Sequence, residues 1–209
     1  MVIDNRLLTG DNGSGGDVWI MRNKKYPEMI AEESVSIRAV KRVYQELSGV
    51  DASALTPKDI FDIAEGKAEG NQQAAIQSFN ELGEMAGDGI IRALNIVDGM
   101  VVIGGGVVGA AKYILPGIMQ EMNRQIGTFA GASFPCLQME VFNLSDPESF
   151  EAFLKEKNKM VDVPFSDKQV PYASHKKIGI AVSSLGASKA IALGAYSFAL
   201  AQLDLSNNA

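Results

Sequence analysis

Apolar positions recur every three or four residues at Ile76, Phe79, Gly83, Ala86, Ile90, Ala93 and Val97, which predicts one long helix from about Gly70 to Ile96. Gly83, Gly87 and Gly89 fall inside it, and each costs about 1 kcal/mol relative to alanine. A second backbone packing closely at these positions would explain them. Upstream, Val35, Ala39, Val43 and Leu47 share one face of a helix that starts at Ser34 and stops at Gly49. Thr56-Pro57 opens the next, with Ile60, Ile63 and Ala64 inward and Gly66 at its end.

Downstream of the long helix, Asp98-Gly99 turns the chain into an apolar run, Met100 to Ile103, that reads as a buried strand. Gly104-Gly105-Gly106 is a tight turn into a short helix reaching Tyr113. Pro116 then starts a second helix with Ile118, Met122, Ile126 and Phe129 inward. Gln138 to Leu144 alternates as a strand, and Ser145-Asp146-Pro147-Glu148 caps a charged helix through Lys157. A polar loop follows to about His175, then an apolar strand, Ile178 to Val182, and a helix rich in Ala and Gly, Gly186 to Leu203. At the start of the chain, Val2 to Leu8 alternates loosely as a strand with Asp4-Asn5 as a turn inside it. Thr9 to Asp17 is a glycine-rich loop and Val18 to Ile20 a short strand. Strands alternating with helices indicate an α/β fold.

Composition narrows the function classes. The 209 residues are enough for one domain or two small ones, and a net charge of −6 without a basic stripe argues against nucleic acid as the main partner. No apolar run approaches the length of a membrane span, and the first residues show no secretory pattern. A single cysteine, Cys136, cannot form an internal disulfide, which fits a reducing, cytoplasmic setting. With one histidine, His175, most zinc sites built on His and Cys clusters are ruled out. Between Ser174 and Lys176, His175 reads as an ordinary surface residue. Nothing resembles a catalytic triad or a metal enzyme.

The glycine turn carries the candidate chemistry. Gly104-x-Gly106-x-x-Gly109 spells the dinucleotide-binding fingerprint, which further requires a continuous helix and an acid about 20 residues on, at the end of a second strand. Pro116 interrupts that helix, Glu121 falls within helix, and Glu140 lies too far along. A plain structural turn is the alternative, since strand-to-helix turns often need glycine. The loop Thr9 to Asp17 is not a P-loop, because no Gly-Lys-Ser/Thr follows it.

Four stretches, in order, resemble the C-terminal half of a ROK-family protein, a family of bacterial sugar kinases and sugar-responsive repressors. They are Asn5-Arg6-Leu7-Leu8-x-Gly10-x-Asn12-Gly13-x-x-Gly16-Asp17, Ala31-Glu32-Glu33-Ser34-Val35-Ser36, Val102-Ile103-Gly104-Gly105-Gly106-Val107, and Leu185-Gly186 with Gly194-Ala195. The resemblance runs from about Val2 to Leu203. It implies an actin-like (ribonuclease H-like) ATPase C-terminal lobe occupying residues 1–209, a mixed sheet flanked by helices. It also implies that the turn Gly104, Gly105, Gly106 and Val107 abuts the adenosine of ATP, supplied with Mg, so that no distal acid is needed. Asn12, Asp17 and Glu32 would line the site of a hexose or amino sugar, Asp17 standing where the family has a longer glutamate.

The departures from the family matter too. Ile20 stands where the family has histidine and Trp19 where it has glycine, and Met21 to Ile30 contains neither Cys nor His. No zinc is therefore expected, and Trp19 is read as filling the space of the metal, ahead of stacking on a sugar. The lobe that would carry the first phosphate loop and the catalytic aspartate is not among these residues, nor is the second phosphate loop. The chain is thus expected to be half of a sugar kinase, inactive alone, with the effector-binding half of a sugar-responsive regulator as the alternative and a dinucleotide-dependent oxidoreductase ranked last. An open edge at Val2 to Leu8 and an uncovered apolar side on the final helix, about 186–203, which would pack on the absent lobe, make a homo-oligomer the expected state.

Overall fold

The computed structural model describes residues 1–207. The expected first strand is a miniature hairpin: β1 (Val2–Ile3) pairs antiparallel with β2 (Arg6–Leu7), so it supplies its own partner. Asp4 and Asn5 make the turn with φ of 50° and 60°, the mirror-image turn conformation that Asn and Asp tolerate best. Val18–Ile20, expected as a strand, is a 3-10 turn. Among the described residues no strand pairs with it, and the Val18 N–H already bonds locally to Gly16.

α1 (Ile37–Ser48) starts at Ser36, whose hydroxyl accepts the Ala39 N–H at 3.3 Å, and ends at Gly49 with φ 71°. Its buried face is Ala39, Val40, Val43 and Tyr44, while the expected Leu47 is exposed. The face is rotated because Tyr44 is anchored inward, its hydroxyl accepting the Asn71 N–H at 3.3 Å. α2 (Pro57–Ala64) carries a full capping box between Thr56 and Asp59 and buries Ile60, Ile63 and Ala64 as expected.

α3 (Gln72–Leu94) is the long helix. After it come β3 (Val101–Ile103), a 3-10 turn at Val108–Ala110, and α4 (Ala111–Met122). α4 is one helix passing through Pro116, not two. Proline removes a single hydrogen bond, which packing against α3 outweighs. The two helices pack backbone to backbone. A Cβ on Gly83 would sit 2.1 Å from the Ile114 carbonyl oxygen, one on Gly117 2.3 Å from that of Asn80, and one on Gly87 2.8 Å from the Glu121 Cβ. The expected close approach thus exists at Gly83 and Gly87. Gly89 meets nothing within 4 Å.

Ile118 and Met122 are buried, but the helix stops before Ile126 and Phe129, which are exposed on the hairpin of β4 (Gln125–Gly127) and β5 (Ser133–Pro135). β6 (Glu140–Asn143) precedes α5 (Pro147–Leu154), which is capped by Asp146 and ends three residues short of Lys157. The expected polar loop is a third antiparallel hairpin, β7 (Asn158–Asp162) with β8 (Gln169–Ala173), exposed along both strands. Without a buried face it shows no apolar alternation to read. β9 (Lys177–Val182) leads to α6 (Ala187–Asn207).

The central sheet has the order β3-β9-β6 and is parallel throughout, where a mixed sheet was expected. The antiparallel pairs here are local hairpins joined by short turns, and none adds a strand to the central three. His175 is also not the plain surface residue expected. It lies 2.5 Å from Glu140 through Nε2, against the edge of Phe142.

Candidate functional site

Parallel strands bring the loops at their C-terminal ends to one edge of the sheet, where ligands of open α/β sheets bind. At that edge β3 and β9 run side by side with Ile103 opposite Val182, and the Ser183 N–H donates to the Ile103 carbonyl at 2.8 Å. The Gly104–Val107 turn and the Ser183–Gly186 loop are therefore adjacent, with α6 beginning directly after the second. Gly105 has φ 101°, which an L side chain rarely adopts. Val107 anchors the turn on the core. Gly104 and Gly106 have ordinary φ; a Cβ on Gly104 would make normal contact with Ser183 at 3.6 Å, and one on Gly106 would meet nothing within 4 Å. The fold requires one glycine of the three, so the others leave an open, side-chain-free surface.

The second group of candidates lies on loops near the N-terminal end. Asp17 precedes the 3-10 turn Val18–Ile20, and Glu32 sits in a second 3-10 turn, Ala31–Glu33. The two turns pack together because the connecting segment closes on itself: Arg22 bridges Ile30, and the Ala31 N–H donates to the Met21 carbonyl at 2.7 Å. Asp17 caps nothing; its carboxylate has no hydrogen bond or ion pair among the described residues. Glu32 has one distant ion contact, 3.6 Å to Arg38, which pairs more closely with Glu33 at 2.9 Å. Asn12 is exposed in the loop whose neck is closed by the Gly15 N–H to Thr9 at 2.8 Å. Among the described residues no hydrogen bond joins Asn12 to either acid, nor these loops to the glycine turn. Asn12 and Asp17 have no side-chain partner among the described residues and Glu32 only its contact with Arg38, so all three retain hydrogen-bonding capacity for hydroxyls.

The match of residues 1–146 to the model of the ROK family now decides the family. The chain belongs to the ROK family. A solved glucokinase from Parabacteroides distasonis ATCC 8503 is 53% identical over 95% of this chain, with a TM-score of 0.84. This ROK chain covers 54% of that glucokinase, about half its length. A ROK glucokinase from Streptomyces griseus, solved with glucose and AMPPNP, is 17% identical over 88% of this chain and 51% of its own, with a TM-score of 0.48. At that distance it carries nothing residue by residue. No curated protein matches the chain.

In this ROK chain the segment Met21–Ile30 offers zinc no thiolate or imidazole, and among the described residues no group of three His, Cys, Asp or Glu side chains could hold a metal ion. Asn23 closes the loop. Fully buried, it donates to the Ser34 hydroxyl at 2.8 Å and the Ile30 carbonyl at 3.2 Å, and accepts the Lys25 and Tyr26 N–H groups at 3.0 Å. The sequence reading missed it inside a polar run. The readable signal was an Asn two and three residues before the backbone N–H groups it ties, the pattern of an Asx turn.

Lys24 then fixes the loop to the helical pair, donating to Glu84 and Glu121 at 2.8 Å each, while Arg124 takes the other oxygen of Glu121 at 2.8 Å. Burial works against the Lys24 ammonium, but hydrogen bonds to Glu121 and Glu84 outweigh it and hold its pKa above the ordinary lysine value. Trp19 does not fill a vacated interior as expected: it is 48% exposed. It belongs to a short surface turn that contributes no buried residue.

Proposed function

We propose that these residues form the sugar- and adenosine-binding half of an ATP-dependent hexose or amino-sugar kinase, the nucleotide arriving as its Mg complex. The observation that carries the reading is the glycine turn at the C-terminal edge of a parallel strand pair, with two more glycines than the backbone requires, in a chain 53% identical to a glucokinase over 95% of its residues. A side-chain-free turn lets a flat purine lie against backbone, and Gly104 to Val107 are the residues assigned to it. The side chains of Asn12, Asp17 and Glu32, the last in a single 3.6 Å contact with Arg38, are assigned to the sugar hydroxyls.

Phosphoryl transfer also needs a base at the attacking hydroxyl and donors around the phosphate within a closed cleft. Neither Asp17 nor Glu32 corresponds to the family's catalytic aspartate, so the 209 residues alone are expected to bind without turnover.

Calorimetric titration tests the assignment. ADP should bind weakly, NAD no better than its adenosine portion, and Gly105→Val should abolish both by forcing an unfavourable φ into the turn. NAD binding clearly tighter than ADP would refute the kinase reading. An ADP-coupled assay over a hexose panel should stay flat; turnover that Glu32→Gln removes would show the catalytic set to be complete.

A further inference from the structure

The indole of Trp19 is an exposed flat surface in an unusual place. It sits on the 3-10 turn directly after Asp17, and that turn packs against the one carrying Glu32. The juxtaposition is rigid. The Ala31 N–H to Met21 bond, the Arg22–Ile30 bridge and the buried Asn23 tie the connecting segment at three points. Ion pairs from Lys24 and Lys25 then bind the segment to Glu84, Glu121 and Glu81. Among the described residues no ring packs against Trp19 and its Nε1–H has no acceptor. The indole is thus held in place with about half of its surface and its donor left open to solvent or a ligand.

Asp17 directly precedes the turn of Trp19 and Glu32 lies on the turn packed against it, and an aromatic plate with carboxylates on neighbouring turns is complementary to one ligand chemistry. The hydroxyls of a pyranose donate to carboxylate oxygens, while the C–H face of the ring is apolar and electropositive and suits the negative face of an indole. We infer that Trp19 is the stacking platform of the sugar site and makes it selective for closed pyranose rings over open-chain polyols with the same hydroxyls. The inference rests on the sugar-site reading above and adds to it the residue that reads ring shape. Asp17 and Glu32 accept hydrogen bonds that any polyol can donate; only the plate distinguishes a flat C–H face from a flexible chain.

The chain has one tryptophan, so its fluorescence reports on this residue alone. D-Glucose, N-acetylglucosamine and, as the acyclic control, sorbitol are titrated into the 209-residue chain, and affinities are measured in parallel by saturation-transfer NMR. The pyranoses should change the emission saturably and sorbitol should not. Trp19→Ala should weaken pyranose binding about tenfold or more, Trp19→Phe by no more than about threefold, and Glu32→Gln should weaken it with Trp19 intact. Circular dichroism of the variants should be unchanged, since the side chain contributes little to the core.

Pyranose binding with silent emission and full affinity in Trp19→Ala would overturn the platform and leave the sugar site standing. Equal binding of sorbitol would overturn the selectivity. No saturable binding of any pyranose by the unaltered chain would refute the sugar-site reading itself.

Discussion

Single glycines decide how closely the central helices approach. At Gly83 and Gly117 an added Cβ would collide with a backbone oxygen, and backbone cannot step aside as a side chain can. Gly83→Ala or Gly117→Ala should therefore lower stability by about 1–3 kcal/mol, the usual cost of overpacking, in spite of alanine's better helix propensity. Gly89→Ala on the same helix enters open space and should raise stability by about 0.5–1 kcal/mol. Urea midpoints of the three variants check the contrast, and a stabilised Gly83→Ala would contradict the packing described. Asn23 is the other decisive residue. Asn23→Ala leaves two backbone N–H groups, a carbonyl and the Ser34 hydroxyl without their partner, for a cost of about 2–4 kcal/mol. The same denaturation series measures it.

Short-range caps set the boundaries of the elements and give them an acid sensitivity. The Asp59 carboxylate accepts the Thr56 N–H and then its hydroxyl, at 2.7 Å each, and lies below the ordinary aspartate pKa for that reason. Asp51 is lowered by the backbone N–H and hydroxyl of Ser53, and Glu65 by hydrogen bonds from Lys112 and Tyr113. A carboxyl whose pKa is lower folded than unfolded contributes stability above the unfolded value, about 4, and loses it as pH falls through the folded one. Stability should be level from pH 7 to about 5 and decline below about 4. Asp59→Asn should differ most from the parent at neutral pH, the gap narrowing towards pH 3. Lys24 is shifted upward by its carboxylate partners, so on the alkaline side its contribution is lost only as pH rises past the lysine range. Urea midpoints at pH 7, 5 and 3 test the signs.

Across the whole molecule, packing is uneven. The core gathers α1 to α4 and the central sheet, whereas every residue of α6 from Ala187 to Asp204 is exposed. Ile191, Leu193, Tyr196 and Leu200 all face outward. Helices of this length draw most of their stability from packing an apolar face, so α6 has little beyond its alanine content. Hydrogen exchange followed by mass spectrometry should show α6 losing protection many-fold faster than α3. Equal protection would mean that the apolar side of α6 is covered in solution.

Much of the architecture was legible in the chain itself. Thr56 and Asp146 at helix starts, Gly49 and Gly66 at helix ends, Pro57 in a first turn and the strand into Gly104–Gly106 all act through hydrogen bonds or φ limits within four residues, whereas the start expected at Ser34 is Ser36 because Ser34 closes the preceding 3-10 turn. The 3.6-residue period of α3 is equally local. The ordered set of loops sufficed for the family as well, because Asn12, Asp17, Glu32 and the glycine turn are short-range signals. What required the tertiary structure was every feature whose partner is distant in sequence. The parallel order β3-β9-β6 joins residues about forty to eighty positions apart. Rotation of the α1 face depended on Tyr44 meeting Asn71, and the unbroken α4 on α3 offering Gly83 to the turn before Pro116. Trp19 was expected, from the family resemblance, to fill the space of an absent metal. Only the assembled surface shows a half-exposed ring on a turn packed against Ala31–Glu33, because burial belongs to that surface and not to the residue.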